Sequence, residues 1–283
     1  MTSIRVSPNG RYFVNECREP FFWLGDTQWE LFRCFTPQDA GAVIARRKAQ
    51  GFSVHKIMVT GLGKGDRPNM EGQAAWLSGD PAHPNEAYFG NVDRVLDAIS
   101  RTGMVAVLGV FHQEQRDLLT CDNAREYARW LSGRYADVPC IVWTMYPRAE
   151  QDFIPVMREL AAGLREGDGG AHMVTVHPDP SPTSSSFIHG ESWLDFNMMQ
   201  PCLDYESIHA MVSKDLDCEP PKPTVMAEGG YEGVNLGRLQ TPLEIRKQAY
   251  WSYLAGGHHS YGHEDSNSAP GEWRSWIDSP GAL

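Results

Sequence analysis

Glu228 stands where a short apolar run gives out. It follows Thr224-Val225-Met226-Ala227 and precedes Gly229-Gly230-Tyr231-Glu232. A carboxylate presented there can attack carbon, take a proton or give one. The same place, just past an apolar run, is held elsewhere by Asp26, by His112 and Glu114, and by Tyr146 and Glu150. Further along it is held by His177 and Asp179, by Gln200, and by His263 with Glu264 and Asp265. This set is rich in carboxylates, imidazoles and amides and poor in basic groups. It suits cleavage of a neutral, polyhydroxylated substrate, whereas phosphate would call for clustered Lys or Arg. Glycoside hydrolysis needs one carboxylic acid to protonate the leaving oxygen and a second carboxylate to attack carbon or activate water. Glu228 is the strongest candidate for one of the two, and Gly229-Gly230 would let a sugar approach closely. Nine Trp, ten Tyr and eleven Phe add apolar faces with polar handles, a good match to sugar rings, although most must be core.

Other chemistries fit less well. His259 and His263 are four residues apart and would share a face only on a helix, but this stretch has the pattern of strand then loop. Neither a metal nor a cofactor is therefore expected, and hydrogen bonding to hydroxyls is the expected use of His263. His177 fits a hydroxyl ligand and a satisfied core group equally. Gly61-Leu62-Gly63-Lys64-Gly65 has no helix after it and Pro68 close behind, so it is a flexible loop and not a phosphate cradle. No Gly-x-Ser-x-Gly elbow occurs. The six cysteines contain no Cys-x-x-Cys pair and are expected to be reduced, structural thiols. A net charge of −11 argues against a nucleic-acid partner. No stretch approaches the ~18 apolar residues of a membrane span. The opening Met1-Thr2-Ser3-Ile4-Arg5-Val6 lacks a secretory apolar core, so a cytoplasmic protein is expected.

These residues must be carried by elements that bring run ends together. Eight short apolar runs are legible: Phe21–Leu24, Val54–Val59, Val105–Val110, Ile141–Thr144, Met173–Val176, Phe196–Met199, Thr224–Met226 and His258–Tyr261. Helix-length periodic stretches separate most of them. Thr36-Pro37 opens the first, with Thr as cap and Pro in the first turn, and Gly51 stops it. Others run about Tyr88–Arg101, Asp122–Tyr135, Phe153–Glu166, Asp204–Leu216 and Pro242–Leu254. The stretch near Ser185–His189 is one weak turn, and the closing helix, Gly271–Ile277, is short. Alternating strand and helix predict a parallel sheet, and eight such units close into a (β/α)₈ barrel. The 283 residues fit one such domain, 1–283. An open doubly wound sheet is the alternative, but no Gly-x-Gly-x-x-Gly follows an early strand. In a barrel these run ends all face one mouth.

Taken in order, several segments resemble the apiosidase-like glycoside hydrolase family. They are Phe22-Trp23-Leu24-Gly25-Asp26-Thr27-Gln28-Trp29-Glu30-Leu31-Phe32, Pro84-Asn85-Glu86-Ala87-Tyr88-Phe89 and Arg165-Glu166-Gly167-Asp168-Gly169-Gly170. His177-Pro178, Trp193-Leu194-Asp195-Phe196-Asn197-Met198, Ala227-Glu228-Gly229-Gly230-Tyr231-Glu232, Tyr250-Trp251-Ser252 and Tyr261-Gly262-His263 continue the match over nearly the whole chain. The resemblance implies a TIM-like barrel, hydrolysis of a glycosidic bond in a plant-type glycan, and Glu228 as the nucleophile. One segment departs from the family. After the fourth strand the family has Trp, two apolar residues and Gly-Gly-Asp, with that Asp as acid/base. Here the run is Trp143-Thr144-Met145-Tyr146-Pro147-Arg148. A guanidinium cannot usefully donate a proton at neutral pH. Glu150 is the expected replacement acid, with Asp26 and Glu114 as further candidates.

The expectation is a carbohydrate-cleaving enzyme with Glu228 and Glu150 catalytic. Asp26, Trp29, Glu114, His177, Gln200, Tyr231 and His263 are its expected sugar contacts. Two alternatives stay open: a sugar-binding pseudo-enzyme that has lost the family acid, and a lyase or isomerase using the His263-Glu264-Asp265 loop.

Overall fold

The computed structural model describes residues 2–147, 150–180 and 183–283, with the side chain of Glu150 outside what it describes. The chain opens with a small antiparallel sheet, β1 (Ile4–Val6), β2 (Phe13–Asn15) and β3 (Pro20–Phe21), an element beyond those expected. Eight parallel strands follow: β4 (Leu24–Thr27), β5 (Val54–Met58), β6 (Val105–Gly109), β7 (Ile141–Met145), β8 (Met173–Val176), β9 (Asn197–Met199), β10 (Thr224–Met226) and β11 (His258–Tyr261). They hydrogen-bond in the order β8-β7-β6-β5-β4-β11-β10-β9. The ring is completed by Asp195 and its neighbour. The Asp195 N–H donates to the Val174 carbonyl (2.9 Å) and its carboxylate accepts from the Val174 N–H (2.6 Å). The Thr175 hydroxyl reaches the Phe196 carbonyl at 2.7 Å. The result is a single-domain (β/α)₈ barrel.

The helices α1 (Pro37–Ala49), α2 (Glu86–Thr102), α3 (Ala124–Arg134), α4 (Glu150–Gly167), α5 (Ser185–Ile188), α6 (Ile208–Leu216) and α7 (Pro242–Leu254) cross between strands, and α8 (Asp265–Ser268) and α9 (Trp273–Trp276) end the chain. Local chemistry sets their limits. Thr36 caps α1 by accepting from the Asp39 N–H, and Asn85 caps α2 in the same way for Ala87. Gly103, at φ 71°, ends α2 in the left-handed conformation. α3 and α4 touch at backbone distance: a Cβ on Gly163 would strike the Arg125 carbonyl. Among the described residues, no helix is long and apolar enough to cross a membrane.

Alternation along the strands divides inner wall from outer. Val54, Val105, Val107, Val142, Met198 and Val225 fill the lower interior together with Phe13 and Trp23. Phe13 plugs the floor, with its ring centroid 5.0 Å from both Trp23 and Phe196. One expected strand is displaced. The apolar run Phe21–Leu24 predicts the first wall strand, but Phe21 pairs with Phe13 in the small sheet and the wall strand begins at Leu24. The true strand includes Gly25-Asp26-Thr27, whose polarity masks it.

Candidate active site

Above the apolar floor the interior turns polar, because the residues two positions further along several strands are chemical ones. Lys56 lies two beyond Val54, His177 two beyond Thr175, and Gln200 two beyond Met198. Trp29, Tyr146, Glu228 and Tyr231 come from the loops that leave β4, β7 and β10.

These side chains meet. The Glu228 carboxylate Oε2 is 3.1 Å from Nε2 of His177; the imidazole is fully buried while the carboxylate side chain is 16% exposed. Nδ1 of His177 is 3.1 Å from the Pro178 carbonyl. The His177 ring packs 4.3 Å from that of Tyr146 and meets Trp29 edge-on at 5.6 Å. Trp29 stacks on Tyr146 at 5.9 Å and donates its indole N–H to the Tyr231 hydroxyl at 2.8 Å. The Tyr146 hydroxyl donates to Gln200 Oε1 at 3.4 Å. Lys56 Nζ lies 4.7 Å from the centre of a Trp29 ring and donates to the Ala227 carbonyl. His112 stands edge-on to Tyr146 at 5.9 Å, its Nδ1 accepting the N–H groups of Gly63 and Glu114. A partly reachable carboxylate, ringed by buried aromatics and N–H and O–H donors, is equipped to act as an anion against an uncharged substrate.

A family model described as Apiosidase-like, catalytic domain, matches residues 7–283. The chain belongs to that family. Among solved structures, one titled Glycoside hydrolase is 24% identical, with a TM-score of 0.91 over 99% of this chain and 72% of that one. A glycoside hydrolase family 5 protein from Bacteroides vulgatus is 26% identical, with a TM-score of 0.90 over 99% of this chain and 69% of that one. A family 5 mannosidase from Rhizomucor miehei, at 14% identity, superposes with a TM-score of 0.70 over 92% and 85% of the two chains and shares the fold. No curated protein matches the chain.

In this apiosidase-like domain the electrostatics favour an ionised Glu228. Burial alone would raise its pKa, but the His177 contact, the Lys56 charge and a hydrogen bond from Tyr231 hold it below the usual carboxylate range. Burial drives Lys56 down to about 7, and the Glu228 charge partly opposes that fall. Burial and the Lys56 charge likewise push His177 down. Burial, reinforced by the Glu228 charge, raises Tyr146 and Tyr231, so both remain protonated donors.

The domain gathers Trp29, His177, Gln200, Glu228 and Tyr231 and leaves other expected contacts elsewhere. Asp26 is a correction. Its fully buried side chain lies between β4 and α1, ion-paired to Arg47 at 3.1 Å and close to His55 at 3.3 Å. It points to the outer face because Gly25 and Thr27 take the inner one. His263 stacks on Trp276 at 5.9 Å and accepts the Asp265 N–H, away from the Glu228 group. Glu114 is exposed and close to His112. Arg148 and the Glu150 side chain lie outside the described residues. Among the described residues, no group of three or more His, Cys, Asp or Glu is placed to hold a metal.

The glycines after Glu228 have a structural task. A Cβ on Gly229 would run into the Gln248 amide, and one on Gly230 would come within 2.6 Å of Gln240 Oε1. Gln248 also donates to the Gly230 carbonyl at 3.3 Å. The turn that presents the carboxylate is thus held by buried amides. Lys56 joins the site beyond the expected set, and His112, which stands past a run in the sequence, joins it beyond the expected sugar contacts. For Lys56 the available signal was a lysine within the apolar run Val54–Met58.

Proposed function

We propose that this domain hydrolyses a glycosidic bond in a plant-type glycan, with Glu228 as the nucleophile. One observation carries the reading: a partly accessible Glu228 carboxylate at the barrel mouth lies 3.1 Å from the buried imidazole of His177. Trp29, Tyr231 and Gln200 shape the wall that would meet the sugar. The second carboxylate is assigned to Glu150, which starts α4 next to Tyr146 in the chain. Asp179 is the rival, since its charge acts on Tyr146 and Cys202, two of the side chains that also feel Glu228. A retaining mechanism would set the pair about 5–5.5 Å apart.

A second reading rests on Arg148, which replaces the family acid. It makes the domain a sugar-binding protein without turnover. A panel of aryl glycosides, including pentosides and apiosides, tests both. Turnover by the wild type that vanishes in Glu228→Gln supports the hydrolase. Sugar binding with no turnover by the wild type supports the second reading, and turnover that survives Glu228→Gln removes Glu228 as nucleophile.

A further inference from the structure

Lys56 is the least expected side chain in the barrel. Its neighbours on β5 are Val54, His55, Ile57 and Met58, and the whole lysine side chain is buried. Lysines ordinarily reach water with their ammonium end even when the stem is covered. Lys56 does not. Its Nζ is spent inward, on the carbonyl of Ala227 and on the face of Trp29. Ala227 is the residue before Glu228, and Trp29 holds the Tyr231 hydroxyl beside it. One buried ammonium therefore supports both the backbone that carries Glu228 and the aromatic that orients its phenolic donor.

We infer that Lys56 is a positioning residue for Glu228, anchoring the peptide before it and keeping its carboxyl anionic from beneath. The inference rests on the reading of Glu228 as the reacting carboxylate. Burying an ammonium is costly without a compensating charge. The charge that acts on Lys56 is that of Glu228, and the two stabilise each other's ionised forms. Other titratable groups face the pair. His177 comes from the end of β8, His259 from β11 and His112 from beyond β6; burial pushes all three down, while Glu228 pulls His177 back up and His177 in turn favours the ionised carboxylate. Tyr146, Tyr231 and Cys202 are raised by burial and remain protonated. Asp179 acts on Tyr146 and Cys202 and adds negative charge to the rim. Among the described residues, His177 and Lys56 both favour an ionised Glu228, and Lys56 is the one that also donates to the peptide before it. A hydrophobic filler of the same length would supply neither the charge nor the donor.

The test is carboxyl-carbon NMR of Glu228 across pH in wild type, Lys56→Gln and Lys56→Met, the signal being assigned by its loss in Glu228→Gln. Glutamine keeps a donor for Ala227 and loses the charge; methionine loses both. The titration midpoint of Glu228 should move upward in both variants. The acid limb of kcat/KM should move the same way, and for every pH unit it climbs, activity at a fixed acidic pH should fall roughly tenfold. A midpoint that stays in place in a folded variant overturns the inference. A reciprocal measurement guards against variants that fail to fold: the Lys56 ammonium signal, followed in Glu228→Gln, should titrate lower than in wild type. An unchanged Lys56 midpoint there also overturns it. Both midpoints are read without substrate. A domain that cleaves nothing yet shows the coupled shifts would cost Glu228 its role as nucleophile and leave the coupling standing.

Discussion

Trp29 and Tyr231 are joined by a 2.8 Å hydrogen bond that ties the loop after β4 to the loop after β10. The indole gives its only N–H to the phenol oxygen, which leaves the phenol O–H free to turn toward Glu228, the carboxylate whose charge raises its pKa. A hydroxyl that accepts one hydrogen bond while donating another is polarised by both. Two residues about two hundred positions apart in sequence thus act on one carboxylate as a relay.

Removing the nearer member should cost more. Tyr231→Phe deletes a bond to an ionised group, about 1.5–3 kcal/mol, or roughly a 10- to 100-fold fall in kcat/KM. Trp29→Phe should fall less, since Tyr231 keeps its own donor. Because the two act in series, the double variant should lose less than the product of the single losses. Strictly multiplicative losses would refute the relay.

The second carboxylate can be found by leaving-group chemistry. Loss of a general acid costs about 10²–10⁴-fold on substrates whose leaving group needs a proton, and far less on activated aryl glycosides. Glu150→Gln should show this contrast and Asp179→Asn should not. The opposite result would move the acid to the loop after β8.

Asp26 is expected to matter for stability and little for chemistry. It is ion-paired at 3.1 Å with Arg47, which is stacked near Phe52, Tyr261 and Trp276 and donates to the Ile277 carbonyl. Asp26→Asn leaves that guanidinium buried and uncompensated, a loss of about 3–5 kcal/mol. Urea unfolding should show the loss, while the folded fraction at low temperature keeps its kcat. A stable variant with impaired turnover would return Asp26 to the sugar-contact role that its position after an apolar run suggests.

Most wall strands are legible in the sequence because strands buried on both faces appear as near-continuous apolar runs, as Val105–Gly109 and Ile141–Met145 do. β4 is hidden because Asp26 is neutralised by Arg47, about twenty positions on, and such a pairing has no local signature. The N-terminal sheet is hidden because strands of two and three residues are too short to show a period. At the site, Glu228 and His177 stand out by their place after a run. His263 follows a run equally well, yet lies against Trp276, because position along a strand does not decide which way the following loop turns. Lys56 gives no such signal, because its partners come from distant strands.

The protonation state of Glu228 can be read from stability alone. A carboxyl whose folded pKa lies below its ordinary value near 4.5 binds protons more weakly folded than unfolded. Its contribution is complete above that value and is lost as pH falls through the folded pKa. The stability of wild type should therefore decline relative to Glu228→Gln as pH falls below about 5. Thermal or urea unfolding of both proteins in matched buffers measures this, read in that window because Lys56, with a pKa of about 7, is charged throughout it in wild type. A general acid with a raised pKa would give the opposite trend, with wild type gaining on the variant as the buried carboxyl takes up its proton. The sign of one slope thus separates a nucleophile, ionised and held by His177 and Tyr231, from an acid that waits protonated.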